Sequence, residues 1–364
     1  MKLSVHLVTW NGAKYIPHLF ASLRKQIYTD WKLVILDNGS GDDTAEKIKN
    51  EIKDFPVDVE LIEGKENLGF AEGHNKLNHE LRIRNYDCEY MLLLNQDMYL
   101  TPDCLGKMTY FLDRHENVAA VSPRLMKWNF NGLQTSDFRL QDTFTNKIDS
   151  LGLKVFRNRR VVEKYAGKDW DEVEPKMKLS FRAERHNGDG TALEVFGVSG
   201  ALPMLRTSTI EKVCFSDCTF FDSLYNSYKE DVDLAFRLRI AGYKAFVLLD
   251  TVAYHDRTVE GLDKKGDKVA VENKKKQSAW VKYHSYKNHL MTLYKNEYWQ
   301  NWILDAVFIK WYEFKKFMWF LIFDRSVLKG LGEIWKNRRE IRNKKLEIIG
   351  MRKVGWREMR KWWS

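Results

Sequence analysis

Residues 90–100 read YMLLLNQDMYL. Met91 to Leu94 have the continuous apolar character of a buried strand, and Asn95, Gln96 and Asp97 follow in a row before the chain turns apolar again. Two amides and a carboxylate at the tip of a core strand raise the question of what else converges there. Upstream, LSVHLVTW (3–10), WKLVILDNGS (31–40) and VDVELIEG (57–64) read as strands. Between them AKYIPHLFASLRKQ (13–26), DDTAEKIKNEI (42–52) and GFAEGHNKLNHELRI (69–83) read as helices, the second with acidic residues in its first turn. Such alternation predicts an α/β fold: a mostly parallel sheet flanked by helices.

Ligands of open α/β sheets sit outside the carboxyl ends of the strands. Three of those ends carry polar residues of a matching kind: Thr9 and Asn11, Asp37 and Asn38, Asn95 and Asp97. Each alone reads as a turn, but together they line a crevice suited to a nucleotide, with Asp37 able to accept from a base or ribose hydroxyl. NLGFAEGHN, Asn67 to Asn75, adds a glycine-bearing turn at a helix start, where backbone N–H groups can approach phosphates. It matches neither a P-loop nor G-x-G-x-x-G, so neither an ATPase nor a dinucleotide-binding protein is supported.

Further along, FGVSGALPMLR (196–206) resumes the core pattern. YKEDVDLAFRLRIAGYKAFVLL (228–249) reads as a helix with an apolar face at Leu234, Leu238 and Ile240, closed by Gly242 and followed by a strand. Glu230 and Asp231 fall at the helix start, a location that favours the ionised carboxylate a general base needs. His255 ends the next strand, where an imidazole and Asp97 could share a divalent ion. Residues 126–195 are less regular and read as an acceptor-side insertion with some strands of its own, and 256–278 as a charged loop.

These residues, in this order over 3–255, resemble the family 2 glycosyltransferases, and within them the rhamnosyltransferase-like branch. The resemblance implies a GT-A (Rossmann-like) domain over 1–255. It implies transfer of a sugar, rhamnose first, from a dTDP- or UDP-linked donor with inversion at the anomeric carbon, onto a glycan or lipid-linked acceptor in cell-surface polysaccharide synthesis. It also implies roles. Asp231 is the general base, with Glu230 beside it. Thr9, Asn11, Asp37, Asn67, Gly69, Asn75, Asn95 and Gly200 lie around the nucleotide sugar. Asp97 and His255 hold Mg²⁺ or Mn²⁺. The family's usual D-x-D reads Asn95-Gln96-Asp97 here, and Trp10 stands where a tyrosine is more usual. Two other readings share the fold. A sugar-nucleotide nucleotidyltransferase should show a basic Gly-rich loop after the first strand, which VTWNGAKY is not; a non-catalytic nucleotide-sugar-binding scaffold would bind without turnover.

Composition divides the chain of 364 residues. Residues 1–255 carry 34 Lys+Arg against 37 Asp+Glu, whereas 256–364 carry 26 against 13 and nine of the thirteen tryptophans. A near-neutral body with a basic, Trp-rich helical extension suggests chemistry in front and attachment behind. WILDAVFIKWYEFKKFMWFLIF (302–323) holds five charges, too many for a membrane span, and four of them share one arc of a helical projection. The expectation is a helix lying on the inner face of a cell membrane, with the basic runs on anionic headgroups. Packing of the extension against the body or a second subunit is the alternative. The mildly acidic body argues against nucleic acid. The short, His-broken apolar run at the N-terminus reads as a strand rather than a signal peptide. The scattered Cys88, Cys104, Cys214 and Cys218 read as buried thiols of a reducing compartment, although the last two have a spacing that could bind metal.

Overall fold

The computed structural model describes residues 1–84, 87–130, 139–178, 183–186, 190–257 and 277–364. The expected charged loop at 256–278 lies almost entirely outside the described residues.

The anticipated strands and helices form where their periodicity places them: β1 (Leu3–Thr9), α1 (Ile16–Arg24), β2 (Trp31–Asp37), α2 (Thr44–Glu51), β3 (Val59–Glu63), α3 (Gly69–Ile83) and β4 (Tyr90–Asn95). β1 pairs in parallel with both β2 and β4, and β2 with β3, so their carboxyl ends share one edge of the sheet. After β4 come β5 (Met98–Leu100), α4 (Cys104–Arg114) and β6 (Val118–Trp128). Then follow β7 (Phe144–Ser150), β8 (Leu153–Val155), β9 (Val161–Glu163), α5 (Trp170–Lys178), β10 (Ala183–His186) and β11 (Gly190–Val195). The chain continues through β12 (Met204–Arg206), α6 (Thr207–Glu211), α7 (Glu230–Ile240) and β13 (Lys244–His255). Along its main path the sheet runs β10-β11-β13-β6-β12-β4-β1-β2-β3, with β5 on β13 and β7 on β6. Strands from 126–195 are therefore hydrogen-bonded into the central sheet; β8 and β9 alone form a separate pair.

Apolar side chains pack on both faces of the sheet. One core joins it to α1, α2 and α4 (Leu19, Ile48, Phe111), the other to α5, α6 and α7 (Val173, Ile210, Leu238). Reading α7 as amphipathic proves incomplete: of its eleven residues only Asp231 is not fully buried. Arg237 is satisfied by Asp233 (3.0 Å) and by the carbonyls of Val213 and Phe220, and Arg239 by Glu194 (2.7 Å) and main-chain carbonyls. Gly242, at φ +87°, ends the helix as expected. Of the four cysteines, Cys104 is buried, Cys88 and Cys214 are half-buried, and Cys218 is exposed.

What covers α7 is the extension: α8 (Ala279–Asn296), α9 (Trp299–Leu304), α10 (Ala306–Phe323), α11 (Lys329–Lys336), α12 (Arg338–Gly350) and α13 (Trp356–Arg360). Its contact with the body is apolar where Phe196, Phe236 and Ile240 meet Tyr298, Ile348, Met359 and Trp363, and polar along α8. Lys295 and Lys344, both buried, converge on buried Asp222, and Asn296 donates to Asp233 (2.8 Å). Asn288 donates to the carbonyls of Ser227 (2.9 Å) and Tyr228 (2.7 Å), and Lys287 to that of Leu224 (2.9 Å). The second half of α8, from Lys287 to Asn296, is thus hydrogen-bonded to residues 222–233.

The stretch 302–323 is not one helix. It breaks at Asp305, which is fully buried and bound by Arg157 (2.9 Å), Arg159 (2.9 Å) and Arg360 (2.9 Å). On α10 the charged side turns inward: Glu313 meets His289 (2.7 Å), and Lys316 lies over the rings of Tyr286 and Tyr312. Val307, Phe308, Trp311, Phe314, Ile322 and Phe323 are exposed instead, beside exposed Trp299, Trp302 and Trp335. No helix among the described residues is long and apolar enough to cross a membrane.

Candidate active site

A cavity of about 830 Å³ opens at the carboxyl ends of β1, β2 and β4. Its lining includes Thr9, Trp10, Asn38, Asn67, Gly69, Asn95 and Asp97 from that edge. From the other side come Gly200, Glu230, Asp231, His255 and Arg257. The parallel register that aligns Thr9 with Asp37 and Val8 with Asn95 is what brings the first group together.

Asp231 sits at the first turn of α7. Its carboxylate accepts from the backbone N–H of Gly200 (3.1 Å) and of Val232 (2.7 Å). A Cβ on residue 200 would lie 3.2 Å from that of Asp231, so glycine allows the close approach. Glu230 beside it is buried, and its Oε2 has no hydrogen-bond partner. Burial, then the neighbouring Asp231 carboxylate, pushes the Glu230 carboxyl well above the usual range. The two adjacent carboxyl groups thus differ in their surroundings: that of Glu230 is buried and unpartnered at Oε2, that of Asp231 is half-buried and accepts two backbone N–H groups. Three of the four residues before Glu230, Asn226 (φ +35°), Tyr228 (+70°) and Lys229 (+73°), have positive φ without being glycine, a strain that clusters at functional sites.

His255 Nε2 lies 3.3 Å from Asp97, and its Nδ1 lies 2.9 Å from buried Asp149. Burial disfavours the charged ring, but the two carboxylates outweigh it and hold His255 up at about 9. Asp149 also binds Arg257 (3.0 Å), which reaches on to Glu163 (3.0 Å) and Ser199 (3.0 Å). Among the described residues no group of three or more His, Cys, Asp or Glu could hold a metal. The Asp97–His255 pair, with the far ring nitrogen tied to a carboxylate, has the donor arrangement of a two-residue site whose other positions are left to ligand oxygens and water.

Other residues anticipated for the site are committed elsewhere. Asp37 is buried and accepts from Thr9 (3.1 Å) and Ser40 (2.6 Å). Asn11 holds the Gly41 N–H (2.8 Å). Asn75 spends both ends of its amide on the backbone of Phe221, away from the cavity. The start of α3 does not present free donors to a phosphate. Leu68 and Gly69 donate to the side chains of Asn38 and Asn67, Phe70 to Ser227, and Ala71 to the carbonyl of Asn226. Gln96 braces the β1 loop, pairing with both the N–H (2.9 Å) and the carbonyl (3.0 Å) of Trp10. Asn38, expected at the crevice, knits β2 to the 67–69 turn, whereas Asp149, which lies against His255, was not singled out from the sequence. A lone aspartate at the end of a weakly apolar strand was the only available signal for Asp149.

The sheet and its edge cavity define an α/β protein of the GT-A type. Residues 4–159 match the family model described as Glycosyl transferase family 2, which is somewhat less than half the chain. The poly(ribitol-phosphate) β-N-acetylglucosaminyltransferase TarS of Staphylococcus aureus is 29% identical over 122 residues, covering 32% of this chain and 20% of that protein. The teichoic acid poly(glycerol phosphate) polymerase of Staphylococcus epidermidis is 25% identical over 116 residues, covering 32% and 15%. The chain thus spans a fifth or less of the length of these relatives. The crystal structure of S. aureus TarS 1-349 in complex with UDP-GlcNAc shares the fold at 14% identity with a TM-score of 0.51, over 100% of this chain and 93% of that one.

Proposed function

We propose that this chain is an inverting glycosyltransferase that moves a sugar from a nucleotide-diphosphate donor to an acceptor in cell-surface polymer synthesis. The observation that carries this reading is the lining of a single cavity by Asp231, by the Asp97–His255 pair and by the ends of β1, β2 and β4. Asp231 takes the proton of the acceptor hydroxyl as its oxygen attacks the anomeric carbon. The bond to the diphosphate breaks on the opposite face, and the electron pair leaves with the nucleoside diphosphate. Mg²⁺ or Mn²⁺ held by Asp97 and His255, in place of the proton those groups share, would neutralise the leaving diphosphate. Asp149 keeps His255 oriented. The relatives named above favour a UDP-linked donor; dTDP-rhamnose is the competitor suggested by the sequence resemblance.

The test is release of nucleoside diphosphate from UDP-GlcNAc and from dTDP-rhamnose, with and without Mn²⁺, in the wild type and in Asp97→Ala. Release from one donor, lost in the variant, is expected. No release, and no thermal stabilisation by either nucleoside diphosphate, would remove the donor site.

We place the protein on the inner face of the cell membrane through the outward apolar side of α9 and α10. The inward turn of Glu313 and Lys316 supports this placement, because it leaves tryptophan and phenylalanine facing out among exposed Lys310, Arg325, Arg338 and Arg339. Cosedimentation with vesicles containing phosphatidylglycerol is expected, and Trp311→Glu with Phe314→Glu should abolish it. Equal recovery of wild type and variant with the vesicles would refute the placement.

A further inference from the structure

We propose that Trp280 and Tyr228 form a stacking platform for the acceptor, and that the acceptor presents a pyranose ring to it. This rests on the glycosyltransferase reading of the same cavity and adds the acceptor's chemical class.

The rings of Tyr228 and Trp280 stand 5.7 Å apart and nearly perpendicular, and both line the cavity. Trp280 keeps 50% of its surface exposed although it sits in the first turn of a helix capped by Ser278. An exposed indole on a rigid element forgoes the burial that such a ring normally gains, so the position favours contact with a ligand. Tyr228 is fixed more firmly still. Its left-handed backbone is strained, and fully buried Asn288 reaches across from α8 to hold its carbonyl and that of Ser227. Asp231 follows three residues later in the same chain segment, so the platform and the proposed base are set by one loop.

A pyranose ring has an apolar C–H face and a polar rim of hydroxyls. The C–H face matches an aromatic ring, and the rim matches Gln277 and Ser285, which also line the cavity. The nucleotide has the other side, where Thr9, Asn38 and Asn67 stand at the strand ends. A polyol phosphate has no apolar face and would make no use of the indole.

The experiment is saturation-transfer NMR on the full chain with UDP present. The probes are methyl glycosides of glucose, galactose, mannose, rhamnose and N-acetylglucosamine, with glycerol phosphate and ribitol phosphate alongside. At least one pyranoside should bind, weakened roughly tenfold or more by Trp280→Ala and restored by Trp280→Phe. No pyranoside binding, binding indifferent to Trp280→Ala, or preference for the polyol phosphates would each overturn the platform. UDP binding, followed by thermal shift in the same samples, is read separately. Its loss in the wild type would strike the donor reading, whereas UDP binding without pyranoside binding would strike the platform alone.

Discussion

Asp231→Asn is expected to lower sugar transfer by about 10²–10⁴-fold, the range for loss of a positioned general base, while Glu230→Gln retains most of it. The contrast comes from the environments of two adjacent carboxyl groups. Glu230 is buried, unpartnered at Oε2 and pushed up by burial and by its neighbour, so its surroundings favour the protonated form. Glutamine in its place changes shape little and charge not at all. Asparagine at 231 keeps the shape and removes the proton acceptor. The pair is measured by single-turnover transfer with both variants checked for folding by circular dichroism. Equal loss in the two would show that Glu230 takes part in the proton transfer and that the roles need redrawing.

Asp222→Asn is expected to destabilise the protein by about 3 kcal/mol, the low end for a broken buried pair, because it removes the anion that Lys295 and Lys344 share and leaves each with one carboxylate, Asp233 (3.0 Å) and Glu340 (2.8 Å). Burial alone would raise the Asp222 carboxyl; the two lysines outweigh it and hold it far below the usual carboxylate range. The sign of the pH dependence follows. A depressed folded value means a contribution that is present above the unfolded value of 3.8 and lost as the pH falls below it. Urea midpoints measured at neutral pH and near pH 3 should therefore differ less for the variant than for the wild type. A variant as stable as the wild type at neutral pH would mean that Asp233 and Glu340 alone suffice for the two lysines.

The strands and helices of the first 125 residues were legible because apolar periodicity is local: Met91–Leu94 and the α3 stretch need no distant partner to be recognised. That Asp97, Asp231 and His255 would converge on one cavity was legible because each stands at the end of a strand or the start of a helix. The same local reasoning misjudged residues whose role depends on a distant backbone. Asn75 looks like part of a glycine-bearing ligand turn and serves Phe221; Gln96 looks like part of a metal motif and serves Trp10. Charges misled most. Asp305 was counted on a solvated arc and is buried among three arginines, and Lys287 and Lys295 of α8 carry no hint in sequence that their partners lie in 222–233. Buried ion pairs across long sequence separations have no periodicity to betray them.

The polar seam between α8 and residues 222–233 also bears on how such proteins diversify. A tail that merely leaned on its neighbour through grease could be exchanged for another by recombination. Here Lys287, Asn288, Lys295 and Asn296 of α8 are each matched to a specific carbonyl or carboxylate in 222–233, the segment that carries Asp231. A grafted tail with a different polar pattern would strand buried charges and release that segment. The transplantable unit is therefore the tail together with residues 222–233 and the Arg157–Arg159 segment that holds Asp305 and Glu297, and chimeras that part the tail from either should fail where those that move all three succeed.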